Sequence, residues 1–208
     1  MITFFHAPMS RSTAIVTLIK EMGIEDQIEM RLVDISRIDG TGQRDPSNLH
    51  PEGKAPALLH DGRMITERGA IMLYLTTVFP GPMAPAVGTP EWGEFASWLT
   101  WYQGVVEPVL IFQVTGLAHD WLTRTFRGPV EVAARIRAAL ERGPYLLGDT
   151  YSAADLLIHS AYAFFPKAMP DDDLIRDWVA RCHARPASQT AKVEDLARLA
   201  AMRQLAAA

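Results

Sequence analysis

Residues 57–66 read Ala57-Leu58-Leu59-His60-Asp61-Gly62-Arg63-Met64-Ile65-Thr66. An Asp-Gly pair between two short apolar runs is a hairpin signal, so two antiparallel strands are expected here. Upstream, Ile2–Ala7 is an apolar run of strand length, closed by Pro8. Arg11–Met22 places Ala14, Ile15, Leu18, Ile19 and Met22 at the spacing of a helix buried on one face, with Gly23 where a C-cap belongs. Ile28–Val33 mostly alternates and reads as a second strand, and Asp34–His50 is polar and aperiodic. Downstream of the hairpin, Thr66–Phe79 resumes helical spacing through Ile71, Met72, Leu75 and Phe79. The order β-α-β-loop-β-β-α predicts an α/β domain over residues 1–79.

The composition changes at Pro80–Thr89, where Pro80, Gly81, Pro82, Pro85 and Gly88 crowd together as an interdomain linker would. Only helical patterns follow, so residues 90–208 are expected to form an all-helical domain. Pro90–Leu117 is a long helical stretch that Pro108 kinks or ends. Pro129–Arg142 is amphipathic, Ala153–Phe164 is apolar nearly all round and should be central, and Asp171–Arg185 and Ala191–Leu205 complete the set. The Ala206–Ala208 tail is expected to fray.

The chain has 208 residues, 49% hydrophobic and 21% charged, which is ordinary globular usage and long enough for a sizeable core. Twenty Lys and Arg against 24 Asp and Glu give a formal charge of −4. No long basic run is present, which argues against nucleic-acid binding. The single cysteine, Cys182, rules out an internal disulfide and any multi-cysteine metal site, and is expected to be a small buried residue. No segment reaches the roughly 18–20 continuous apolar residues that span a bilayer. The opening residues carry no basic region or cleavage signal, so a soluble, cytoplasmic chain without metal is expected.

Two local signals stand out. Ser152-Ala153-Ala154-Asp155 has the form of a helix capping box, with Tyr151 and Leu156 in the staple positions. That spacing gives Asp155 a structural role rather than a catalytic one. Gly53-Lys54-Ala55-Pro56-Ala57-Leu58 puts a proline at the start of a strand. A cis Ala55–Pro56 bond would turn the Ala55 N–H and C=O toward an extended peptide; an ordinary trans turn is the alternative.

These pieces together resemble the cytosolic glutathione transferase family. The opening Thr3-Phe4-Phe5-His6-Ala7-Pro8-Met9-Ser10-Arg11-Ser12 looks like the family's first strand and serine-bearing loop. His50-Pro51-Glu52-Gly53-Lys54-Ala55-Pro56-Ala57-Leu58 resembles its Asn-Pro-x-Gly-x-Val-Pro-x-Leu segment, and Glu67-Arg68-Gly69-Ala70-Ile71 its Glu-Ser-x-Ala-Ile helix start. Gly148 through Asp155 resembles its capping box. The resemblance implies a thioredoxin-like N-terminal domain, an all-helical C-terminal domain, a homodimer, and glutathione as co-substrate in a cleft between the domains.

Glutathione chemistry requires a thiolate near neutral pH. A free thiol titrates at about 8.5, and lowering it by about two units takes roughly 2.7 kcal/mol. The Pro8–Ser12 loop opens a helix, whose N-terminal N–H groups favour an anion, and it carries hydroxyls able to donate to sulfur. Ser10 aligns best with the serine of serine-type members, with Ser12 as the alternative; helix capping is the competing role for both. Strand one ends in Phe4, Phe5 and His6, without the tyrosine of tyrosine-type members. Cys182 is too far along the chain to suit a cysteine-type mechanism. His6 is expected to be structural.

For the tripeptide, the resemblance assigns the Ala55 backbone beside Pro56 to the cysteinyl unit and Glu67 to the γ-glutamyl ammonium. Lys54 and His50 are the candidates for the glycyl carboxylate. Arg68 stands where the family has a small hydroxyl residue. It either grips the γ-glutamyl carboxylate, points to solvent or crosses a dimer interface. Arg11 beside the sulfur adds positive charge that favours a thiolate or an acidic co-substrate. Met9, Trp101, Tyr102 and Val105 are candidates for a second pocket, with core packing as the competing role, and would suit a small apolar electrophile. The implied activity is conjugation of glutathione to such an electrophile. The alternatives are a glutathione-dependent disulfide reductase or peroxidase, or a non-catalytic binding protein.

Overall fold

In the computed structural model, which describes residues 1–207, the elements are β1 (Ile2–His6), α1 (Thr13–Met22), β2 (Ile28–Leu32), β3 (Ala57–His60), β4 (Arg63–Thr66), α2 (Arg68–Val78), α3 (Pro90–Trp101), α4 (Glu107–Thr115), α5 (Asp120–Phe126), α6 (Pro129–Leu140), α7 (Ala153–Phe164), α8 (Asp173–His183) and α9 (Pro186–Ala207). They pack as two compact units, Met1–Leu75 with α9, and Thr76–Arg185. These units do not coincide with the 1–79 and 90–208 division expected from the sequence, because α9 packs on α1. Of the expected frayed tail, Ala206 and Ala207 continue α9 and Ala208 lies outside the described residues.

The first unit is built on a four-stranded sheet in the order β2-β1-β3-β4. β1 runs parallel to β2 and antiparallel to β3, and β3 and β4 form the hairpin. This is the thioredoxin-like arrangement. β1 lies between two neighbours and all five of its residues are buried, which suits the apolar Ile2, Phe4 and Phe5, while the polar Thr3 and His6 are hydrogen-bonded to Glu29, Ser12 and Asp195. The hairpin turns through Asp61 at φ 46° and Gly62 at φ 77°, two positive-φ residues that the Asp-Gly pair accommodates. Phe4, Ile15, Leu18, Leu58, Ile71 and Met72 are fully buried in this unit. Phe5, Ala7, Val33 and Ala57 form a cluster in which Ala55 also packs.

The second unit is helical. The sequence pattern of one helix over Pro90–Leu117 becomes two. Pro108 has no N–H to donate and crowds the preceding turn. The chain widens into a π turn at Tyr102–Val106 and restarts as α4 with Pro108 in its first turn. Helix α5 has no sequence forecast; His119 caps it by accepting the Trp121 N–H at 3.1 Å. The capping box at α7 forms as expected. Ser152 Oγ accepts the Ala154 N–H at 3.2 Å, and Asp155 Oδ2 accepts the Ser152 N–H at 3.0 Å and its hydroxyl at 2.9 Å. Asp155 Oδ1 accepts from Leu146 N–H at 2.9 Å and Trp178 Nε1–H at 3.0 Å. One carboxylate therefore joins α7, α8 and the 145–148 turn. Cys182 is buried in α8, as expected.

Candidate functional site

The loop between β1 and α1 is held from below by α9. Asp195 is fully buried and its carboxylate takes four donors. Oδ1 accepts from His6 Nε2 at 2.8 Å and Arg198 Nη1 at 3.1 Å. Oδ2 accepts from Met9 N–H at 3.0 Å and Thr13 Oγ1–H at 2.6 Å. Burial alone would raise the Asp195 carboxyl; the His6, Thr13 and Met9 hydrogen bonds outweigh it and hold the group below the usual carboxylate range. Met9 sits at φ 54°, an uncommon conformation for a side-chain-bearing residue, and its N–H is fixed in that turn by Asp195. Arg37 closes the other side, donating to Pro8 O at 3.0 Å and Met9 O at 3.4 Å.

Ser12 occupies the N-cap position of α1 but makes no side-chain cap bond. Its buried hydroxyl turns inward instead. Oγ lies 2.7 Å from His6 Nδ1 and 2.8 Å from Ser10 Oγ, accepts the Ala7 N–H at 3.1 Å and lies 3.0 Å from Ala7 O. Ser10 is half-buried, and its Oγ also accepts the Ser12 N–H at 3.1 Å. The two candidate hydroxyls are thus bonded to each other: Ser12 is interior and Ser10 is the more accessible. His6 is fully buried, and its Nδ1 meets Ser12 and, through Ser12, Ser10.

The other tripeptide candidates lie in the same unit. The Ala55–Pro56 peptide is cis. His50 is buried; its Nδ1 accepts the Glu52 N–H at 3.0 Å, which leaves the proton of the neutral ring on Nε2. Burial pushes the His50 pKa down against the pull of Glu52 and Glu67. Lys54 is exposed and paired with Glu52, whose hydrogen bond and charge push the lysine up; Glu67 adds to this and Arg11 opposes it. The fields of Glu67, His50, Lys54 and Arg11 therefore overlap, and the loop at 50–54, the start of α2 and the start of α1 contribute to one charged region. Glu67 is exposed, with φ 67°, and opens α2 by accepting the Ile71 N–H at 2.9 Å. Such a φ costs energy for a residue with a Cβ and is held by its surroundings. Arg68 is only 6% exposed, which removes the solvent-pointing alternative.

In the second unit, Tyr102 is 1% exposed and belongs to the buried residues, while Trp101 and Val105 are half-buried. Trp101 meets Trp98 edge-on at 5.3 Å, and the Arg135 guanidinium lies 4.3 Å from the Trp101 ring centre. Met9, in the first unit, is 36% exposed. Among the described residues no group of three His, Cys, Asp or Glu side chains is placed to hold a metal ion, and no helix is long and apolar enough to cross a membrane.

Sequence reasoning missed Asp195, Thr13, Arg198 and Arg37. Asp195 meets His6 across 189 positions, a separation that leaves no trace in local spacing.

Known proteins share sequence features and the fold of this chain. Residues 1–77 match the family model for the glutathione S-transferase N-terminal domain. Glutathione S-transferase 3 of Schizosaccharomyces pombe is 24% identical, over 94% of this chain and 89% of its own length. A glutathione transferase structure from Methylococcus capsulatus superposes with TM-score 0.74 at 24% identity, covering 94% of this chain and 98% of that one. A sphingomonad glutathione S-transferase complexed with glutathione gives TM-score 0.71 at 22% identity, over 93% and 98% of the two chains. Residues 1–77 thus match a glutathione S-transferase N-terminal domain, and the chain shares the fold of these structures, a thioredoxin-like region followed by helices.

Proposed function

We propose that this protein binds glutathione in its first unit and transfers the thiolate to a small apolar electrophile. The observation that carries the proposal is the accessible Ser10 hydroxyl, fixed at the start of α1 by Ser12. A charge-assisted hydrogen bond from a hydroxyl contributes about 1.5–3 kcal/mol. A helix N-terminus adds about 0.3–1 kcal/mol for an anion. Together these reach the roughly 2.7 kcal/mol needed to bring a thiol from about 8.5 to about 6.5. Ser10 is the sulfur donor and Ser12 its support. Arg11, His50, Lys54, Glu67 and Arg68, with the Ala55 backbone beside cis-Pro56, bind the tripeptide. The glutathione bound by the sphingomonad relative supports the ligand.

Trp101 and Val105, half-buried in the second unit, are assigned to the electrophile, and the working form is a cytoplasmic homodimer. The test is glutathione binding by calorimetry with the absorbance of the bound thiolate followed against pH. Native protein is expected to bind with a thiol pKa well below 8.5. Ser10→Ala should raise that pKa by about one to two units, the loss of one charge-assisted bond. An unchanged thiol pKa in Ser10→Ala would remove Ser10 from its role. Activity on small disulfides or hydroperoxides and none on aryl halides would select the redox alternative. No binding at millimolar glutathione would select a non-catalytic protein.

A further inference from the structure

The buried chain Asp195–His6–Ser12–Ser10 has a proton order that its geometry largely dictates. The Asp195 carboxylate is an acceptor of four donors, so the His6 Nε2 that faces it carries a hydrogen. In neutral His6 that places the lone pair on Nδ1, 2.7 Å from Ser12 Oγ. Ser12 has one proton to give and two acceptor positions. It donates to Nδ1, accepts the Ala7 N–H, and accepts the Ser10 hydroxyl at 2.8 Å. Ala7 O, at 3.0 Å, is the competing acceptor for the Ser12 proton. Ser10 Oγ, which also accepts the Ser12 N–H, keeps one acceptor position for an outside donor.

We infer that this chain is a proton relay, in which His6 receives the thiol proton of bound glutathione through the hydroxyls of Ser10 and Ser12. The inference rests on the assignment of Ser10 to the sulfur. The thiol S–H gives its proton to Ser10 Oγ, Ser10 passes its own to Ser12 Oγ, and Ser12 passes its own to His6 Nδ1. The S–H, two O–H and one N–H bonds exchange one for one, with no oxidant or reductant. The sulfur keeps the electron pair as thiolate. Every hydroxyl then points the other way: Ser10 donates to the thiolate, Ser12 donates to Ser10, and Ser12 accepts from His6 Nδ1–H and Ala7 N–H. No slot is overfilled in either state. The donor that stabilises the thiolate is thus created by the same shift that removes the proton. The imidazolium so formed faces the Asp195 carboxylate, which also pairs with Arg198. Arg198 and Lys20 each meet Glu194 at 2.9 Å, and Glu194 is the next acidic group on α9. His6 and Asp195 act through the serines and are positioning residues.

The test is nitrogen NMR of the histidine rings in the native chain, with the His6 signals assigned by loss in His6→Gln. Free protein should show His6 neutral with hydrogen on Nε2, and saturating glutathione should protonate Nδ1 as well. S-methylglutathione, which has no thiol proton to give, should leave the ring neutral. A bound thiolate beside a neutral His6, or an imidazolium already present without ligand, overturns the relay and leaves the Ser10 assignment standing. Absence of any thiolate absorbance overturns the glutathione assignment and the relay with it. In a second measurement, calorimetry in buffers of different ionisation heat should show thiolate formation with no proton released near pH 7. Asp195→Asn, which removes the countercharge, should lower the thiolate fraction there about tenfold. Release of a full proton by the native chain contradicts the relay.

Discussion

Replacing Asp155 by alanine strands three buried N–H donors at once and frees the Ser152 hydroxyl to turn elsewhere. The carboxylate accepts from Leu146 N–H, Ser152 N–H, Trp178 Nε1–H and the rotatable Ser152 hydroxyl, all at 2.9–3.0 Å, and the residue is fully buried. Each unsatisfied donor costs about 1–3 kcal/mol. Removing the acid also relieves its own desolvation, which pushes the Asp155 carboxyl upward, so the low end of that range applies. The expected loss is about 3 kcal/mol, a melting shift of about 6–12 °C for a chain of this size. Asp155→Asn keeps one carbonyl for Leu146 and Trp178 and turns an amide against Ser152, so it should lose about half as much. Urea midpoints and calorimetric melting of the three proteins decide the matter. A loss below about 1 kcal/mol in Asp155→Ala would refute the claim that this carboxylate organises the second unit.

Three further outcomes follow from the same structure. Burial pushes the His159 pKa down to about 4, while its Nδ1–H donates to Asp155 O at 2.9 Å. The folded chain therefore holds fewer protons on this ring than the unfolded one between about 6.5 and about 4. The stability it contributes is complete above the upper value and fades as the pH falls through that window, by up to about 3 kcal/mol. His159→Gln should flatten the pH dependence of the urea midpoint there, and an unchanged slope would dismiss this origin. Gly42→Ala should destabilise the 34–45 loop, because φ is 71° and a Cβ would lie 2.2 Å from Ile35 O; an unaltered melting temperature would contradict it. Trp98→Phe should be tolerated within about 1.5 kcal/mol, since Trp98 Nε1 is buried without a hydrogen-bond partner and the ring is used for packing. A larger loss by urea titration would reveal a polar role for the indole.

Much of the first unit was legible because its signals are local. The Asp61-Gly62 turn, the apolar spacing of α1 and the alternation of β2 each depend on residues within about four positions. The capping box was legible for the same reason. What escaped was set by distance or by weak pattern. Helix α5 has no buried face among its seven residues, so no periodicity announced it. The break between α3 and α4 was signalled by Pro108, but the π turn that absorbs it depends on packing. Ser12 sits where a cap belongs, and only tertiary contact with His6 shows why its hydroxyl turns inward. The serine loop could be located from the sequence; the carboxylate beneath it could not.

That carboxylate has a consequence for how the protein comes into being. His6 and Met9 precede Asp195 by 189 and 186 positions, so their contact with it waits until α9 has been made. Until then the sheet can form, but the turn carrying Ser10 has nothing beneath it. A nascent chain interrupted before α9 would hold the Ser10–Ser12–His6 partners but not the carboxylate that anchors His6, Met9 and Thr13. Completing α9 is thus the step that anchors the Ser10 turn, and a chain cut short of it carries the two serines without that support.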